Sequence, residues 1–176
     1  MAELSFTRSV LRLIPPPARL ARPLRMLPQS LLQLGAETLI TRVLAGPLEA
    51  GALDELAGRR LGVEVADLEL RWVVEIGYRR ITVLAPDADA ESTVRGTATD
   101  LLLLVSRLED ADTLFFQRRL QLTGDTDLGL NVRNLLDQLP WETMPLGLRI
   151  ALNRGARVAS AARAAHREAA VDPTVP

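Results

Sequence analysis

Cysteine and lysine are both absent from this chain of 176 residues, and histidine occurs once, at His166. Without cysteine there is no disulfide, no thiol nucleophile and no cysteine-based zinc or iron–sulfur site. Without lysine there is no Schiff-base amine and no phosphate-loop lysine. His166 lies among alanines near the end of the chain, so the serines and aspartates before it have no base for a triad or dyad. Aromatic residues make up only 3%, so the core must be built from aliphatics. No apolar run approaches the roughly 18 residues that span a bilayer. The N-terminus also lacks a long apolar core with a small-residue cleavage site, which leads us to expect a cytoplasmic protein. Aromatics are not interleaved with the basic residues, so nothing points to nucleic acid.

What is present is unevenly charged. All 21 basic residues are arginine, which reads as base-composition bias of the source genome rather than selection at each position. Residues 1–48 carry six Arg against Glu3 and Glu37, a balance of +4. Residues 49–142 carry ten Arg against eighteen acids, a balance of −8, and residues 143–176 return to +3. Basic flanks that bracket an acidic centre can meet an anionic membrane surface or pack against the acidic body.

Three segments follow from the pattern: an N-terminal extension over 1–27, a domain over 28–140, and an Ala/Arg-rich helix and tail over 141–176. In the first, Leu4, Phe6, Val10, Leu11, Leu13 and Ile14 share one half of a helical wheel, with Arg8 and Arg12 opposite. Pro15-Pro16-Pro17 ends that helix, and Arg19, Arg22 and Arg25 follow it. An interfacial helix on a proline hinge makes Leu4, Phe6, Arg8, Arg12, Arg19 and Arg22 candidates for membrane contact. The alternative is a helix docked on its own domain.

The domain opens with a helix from Pro28 to about Ala45 and a shorter one over 48–57. Alternation then predicts strands around Leu61–Val65, Leu70–Ile76, Arg80–Leu84, Ser92–Thr97 and Arg118–Thr123, with Gly77-Tyr78-Arg79 closing a hairpin. Between the last two strands, Thr99-Asp100 can cap a helix that contains Leu101-Leu102-Leu103-Leu104-Val105. Five consecutive aliphatics cannot share one face, so this helix is buried all round or turns one side to something apolar that is not protein. Trp72 is expected to point inward from its strand. Asp87, Asp89 and Glu91 lack the spacing of a calcium loop and read as a solvated acidic loop. In the C-terminal helix Leu148, Ala151, Leu152, Gly155, Ala159 and Ala162 form a face of small and aliphatic residues, either an intramolecular clasp or an arm for membrane or partner.

The most distinctive stretch is Leu114 to Leu139, LFFQRRLQLTGDTDLGLNVRNLLDQL. It reads as an aromatic block, a strand, a Gly124-Asp125-Thr126 turn and an amphipathic helix with Leu128, Val132, Leu135, Leu136 and Leu139 on one face. This succession resembles the end of a sterol carrier protein type-2 domain, and its wording is closer still to a bacterial branch of ubiquinone biosynthesis accessory factors. The order of predicted elements agrees with that family over about residues 28–140. The resemblance implies an α+β, SCP2-like fold, with a five-stranded, mostly antiparallel sheet covered by helices that enclose an apolar cavity. In that family the helix carrying Leu101, Leu104 and Val105 lines a lipid tunnel. We therefore expect Trp72, Val74, Leu101, Leu104, Val105, Phe115, Phe116, Leu120, Leu128, Val132, Leu135 and Leu136 to contribute to lipid binding. The residues lead us to expect a non-catalytic protein with no metal and no cofactor, and the resemblance implies that its cargo is ubiquinone or a polyprenylated precursor. The implied setting is oxygen-independent ubiquinone biosynthesis with the hydroxylating partners UbiU and UbiV, at or near the inner membrane. A general phospholipid or fatty-acyl carrier, or a scaffold subunit with a closed core, are the competing readings.

Overall fold

A computed structural model of the chain describes residues 21, 23–24, 26–137 and 144–171, with side chains described up to 164. The expected membrane-contact residues Leu4, Phe6, Arg8, Arg12, Arg19 and Arg22 lie outside the described residues.

The domain starts with helix α1, Gln29–Val43. Pro28 precedes it, and its carbonyl accepts from the Leu31 and Leu32 amides. The helix stops two residues before the expected Ala45, because a new short helix, α2 (Ala45–Glu49), begins at once. Pro47 falls in the first turn of α2, where a missing N–H goes unnoticed. A 3-10 turn, Asp54–Leu56, completes the segment expected as one short helix. Leu56 of this turn and Leu53 just before it are buried.

Five strands form one sheet: β1 (Arg60–Val65), β2 (Leu70–Gly77), β3 (Arg80–Leu84), β4 (Ser92–Gly96) and β5 (Leu120–Gly124). Their spatial order is β3-β2-β1-β4-β5. Every neighbouring pair is antiparallel except β1 and β4, which run parallel. The expected β2–β3 hairpin is present, with Gly77 opposite Arg80. Along one sheet face Val63 and Val94 stand side by side, as do Ile76 and Ile81, and Val94 and Leu122. The other face is not simply polar. Val73 is completely buried there, and the Arg71 guanidinium donates to the Pro86 carbonyl, tying the loop after β3 to the sheet.

Two local devices close the sheet. At the β3 edge α1 packs alongside, and Glu37 Oε2 accepts from the Val83 amide at 3.0 Å. An amide that would otherwise offer a free pairing edge is thereby satisfied. At the β5 end the chain turns at Gly124, whose φ is +97°. A Cβ there would lie 2.3 Å from the Glu91 carbonyl oxygen and 2.9 Å from Ser92 Cα, so only glycine fits. The next amide, Asp125, donates to that same Glu91 carbonyl at 2.8 Å. Asp125 then accepts from the Leu128 amide at 2.8 Å, starting α5 (Thr126–Asp137). That backbone bond, with Arg59 nearby, holds the Asp125 carboxyl below the usual carboxylate range.

The remaining helices are α3 (Ala98–Val105), α4 (Ala111–Phe116) and the long α6 (Leu146–Val171). Asp110 caps α4 by accepting from the Thr113 amide at 2.7 Å and its hydroxyl at 2.8 Å.

Gly124→Ala combines left-handed strain of about 1–2 kcal/mol with a clash against fixed backbone, whereas Gly58 (φ +86°) has nothing within 4 Å of its virtual Cβ. Urea unfolding is expected to show Gly124→Ala as clearly more destabilising than Gly58→Ala. Equal midpoints would contradict this account of the turn.

An apolar interior and a buried carboxylate

The expected lipid-binding residues come largely together on one side of the sheet. Val74, Leu104, Leu120, Leu128 and Val132 are buried in one cluster, with Leu101, Phe115, Leu135 and Leu136 packed against it. Its other members include Ile76, Ile81, Val94 and Leu114, which the sequence pattern placed in strands or in the aromatic block without marking them for the site. Leu114 is the innermost member of that block, fully buried. Helical geometry separates its two aromatic neighbours by about 100°. Phe115 therefore reaches the cluster, while Phe116 is 91% exposed and belongs to the surface. Trp72 is half-buried and does not join the cluster; its strand partner across the ladder is Val63.

Val105 turns the other way. With Leu102 it packs on a second cluster formed by Val43, Met144 and Leu152, to which Leu136 and Leu148 also contribute. Helix α3 is thus sandwiched: Leu101 and Leu104 face the sheet, and Leu102 and Val105 face α1 and α6. This is why five successive aliphatics are accommodated, and it makes α6 an intramolecular clasp. Among the described side chains of α6, Leu152, Ala156 and Ala162 are buried, and the two alanines admit close approach to α3. Ala151, expected on the contact face, is exposed.

At the N-terminal end of α3 a charged group sits inside this apolar setting. Asp100 is 2% exposed. Its Oδ1 accepts from Arg119 Nε at 2.8 Å, Arg119 Nη2 at 2.6 Å and Arg163 Nη1 at 2.8 Å. Thr97 caps the helix, with its Oγ1 accepting from the Asp100 amide at 3.2 Å, donating to Asp100 Oδ2 at 2.5 Å and accepting from Arg163 Nη2 at 3.0 Å. Arg119 also pairs with Glu109. Burial pushes the Asp100 carboxyl up, but the bonds from Arg163, Thr97 and Arg119 outweigh it and hold the group below its ordinary value of 3.8. The N-cap is therefore Thr97 and not Thr99 or Asp100, both of which lie in the first turn of the helix; the spacing Thr97-x-x-Asp100 is the local signal for this cap. The partners Arg119 and Arg163 lie 19 and 63 residues further on and have no signal in sequence.

The carboxylate run after β3 serves structure at its last member. Glu91 accepts from Arg59 Nε at 2.5 Å and from the Arg60 amide at 3.0 Å.

Asp100→Asn leaves two guanidinium groups facing a neutral amide, and removing one partner of a buried pair costs about 3 kcal/mol. In urea titrations near neutral pH this loss is the expected result. The pH dependence has a definite sign. Because the folded-state pKa is depressed, the Asp100 contribution is fully present above the unfolded value and lost as pH falls below about 4. Wild type is therefore expected to lose stability below that pH more steeply than Asp100→Asn; parallel curves would rule out the carboxylate as the source.

The SCP-2 sterol transfer family model matches residues 37–137. Ubiquinone biosynthesis accessory factor UbiT from Escherichia coli strain K12 is 38% identical over 136 residues, covering 77% of this chain and 78% of the relative. The same match is found with UbiT of Escherichia coli O157:H7. Among solved structures, UbiJ-SCP2 ubiquinone synthesis protein superposes with a TM-score of 0.54 at 26% identity, covering 66% of this chain and 98% of that one. The chain belongs to the SCP-2 sterol transfer family, within the branch that contains UbiT.

Proposed function

We propose that this protein is a non-catalytic accessory factor of ubiquinone biosynthesis that holds the apolar part of ubiquinone or of a polyprenylated precursor. One observation carries the reading. The 38% identity to a protein named for that pathway extends over 136 residues, a length that must take in most of the strands and helices bounding the apolar interior. The cargo binds against residues of that interior, with Leu101, Leu104, Phe115, Leu128, Val132 and Leu135 foremost. Each methylene moved out of water contributes about 0.8 kcal/mol, so a polyprenyl tail supplies ample affinity with little demand on head-group chemistry. The aliphatic character of the interior suits such a chain, which needs no directed hydrogen bonds.

The setting is oxygen-independent ubiquinone biosynthesis, with UbiU and UbiV as the partners that act on the held ring. Delivery of a membrane lipid requires peripheral contact with the bilayer. No helix among the described residues is long and apolar enough to cross a membrane.

Native mass spectrometry of detergent-free protein, followed by denaturation and identification of what is released, tests this directly. A stoichiometric isoprenoid quinone or precursor is the expected result. A released phospholipid would instead assign a general acyl-chain carrier. Protein that releases nothing and does not bind added quinone would overturn the cargo reading in favour of a scaffold subunit.

A further inference from the structure

Among the described residues, the fold packs against one face of helix α6 and leaves the other exposed. Leu152, Ala156 and Ala162 are buried, and Arg163 is turned inward to Asp100. On the opposite side Leu146, Ile150 and Val158 are 67%, 45% and 44% exposed. Arg154 and Arg157 are exposed on that same side, and among the described residues neither has a hydrogen bond or ion pair. At 3.6 residues per turn these five side chains fall within an arc of about 120°. No acidic residue occurs from Met144 to Arg167, so nothing on the helix itself offsets this charge.

We infer that the outward face of α6 is a docking surface for an anionic lipid bilayer. Arginines meet phosphate head groups, and the three aliphatic side chains between them enter the head-group boundary. A cationic helix face with interspersed aliphatics is the composition of an interfacial helix. An anionic bilayer offers both counterparts in one continuous surface, phosphates for the arginines and an acyl layer just beneath them for the aliphatics. The inner face of α6 stays clamped on α3 through Asp100 and the small residues, so docking requires no unfolding of the clasp. It also brings the bilayer to the element lying directly over α3, one wall of the apolar interior. The inference extends the peripheral contact proposed above. Vesicle binding is read separately from the lipid released in native mass spectrometry, so either reading can fail alone.

The test is co-sedimentation of the full chain with vesicles of phosphatidylcholine, alone or in equimolar mixture with phosphatidylglycerol. Wild type is expected to bind the anionic vesicles, with affinity falling as salt is raised. Arg154 and Arg157 have no hydrogen-bond or ion-pair partner among the described residues, so Arg154→Gln with Arg157→Gln is expected to stay folded. At the usual contribution of an arginine near an anionic surface, the double variant should bind roughly 30-fold more weakly. Ile150→Ser should weaken the binding that persists at high salt. The control is Arg79→Gln with Arg80→Gln, which removes the same charge at the β2–β3 hairpin tip, the opposite end of the sheet from Thr97. That control should bind as wild type. Absence of binding to anionic vesicles, unchanged binding in the Arg154/Arg157 variant, or equal loss in the control would each overturn the inference. Retention on immobilised polyglutamate without vesicle binding would overturn it in favour of an acidic protein partner.

Discussion

The Asp100 carboxylate is the interaction on which the rest of this architecture depends. A charge at 2% exposure is unfavourable alone, and it is tolerated because Thr97, Arg119 and Arg163 all donate to its two oxygens. Thr97 belongs to the turn after β4, Arg119 to the entry into β5, and Arg163 to a helix more than sixty residues away. One side chain therefore fixes where α3 begins, where the last strand enters the sheet and how α6 lies across both. Replacing such a cluster by well-packed aliphatics could leave stability unchanged. What the charge adds is direction: a leucine-rich helix can rotate against a leucine-rich neighbour, but three guanidinium bonds to one oxygen are satisfied in one arrangement.

This clamp explains how a helix with aliphatics on all sides exists in a protein with few aromatics. Leu101 and Leu104 complete the cluster over the sheet, and Leu102 and Val105 complete the second cluster beneath α6. The two clusters share Leu136 and Leu44, so they are adjoining compartments rather than separate cores. The apolar interior is thus bounded by a helix that is itself held from outside. Its wall is fixed by polar bonds at one end and by nondirectional contacts along its length.

The charge distribution has a corresponding structural meaning. The acidic body and the basic C-terminal flank do meet, but at Arg163, where a guanidinium is drawn inward to a buried acid. Arg154 and Arg157 on the same helix are left facing solvent. Packing thus takes one face of this helix and leaves arginines and aliphatics exposed on the other.

Much of the fold was legible in the sequence because it rests on local rules. Period-two alternation located all five strands, the Gly77-Tyr78-Arg79 connection marked a hairpin, and Gly124-Asp125 marked a turn followed by a helix cap. The apolar residues Val74, Leu104, Leu120, Leu128 and Val132 were recognisable because burial follows periodicity. Other features were decided only in three dimensions. Periodicity cannot rank Phe115 against Phe116, since adjacent helical residues differ only in which neighbour lies opposite. It cannot place Val73 inside, because the cover of the second sheet face comes from elsewhere in the chain. Nor can it pair Asp100 with Arg119 and Arg163: in sequence an arginine destined for a buried acid is identical to one destined for solvent. Composition and local pattern determined the elements and their apolar faces, while the long-range meeting of α3, β5 and α6 decided which charges are buried and which surface stays open.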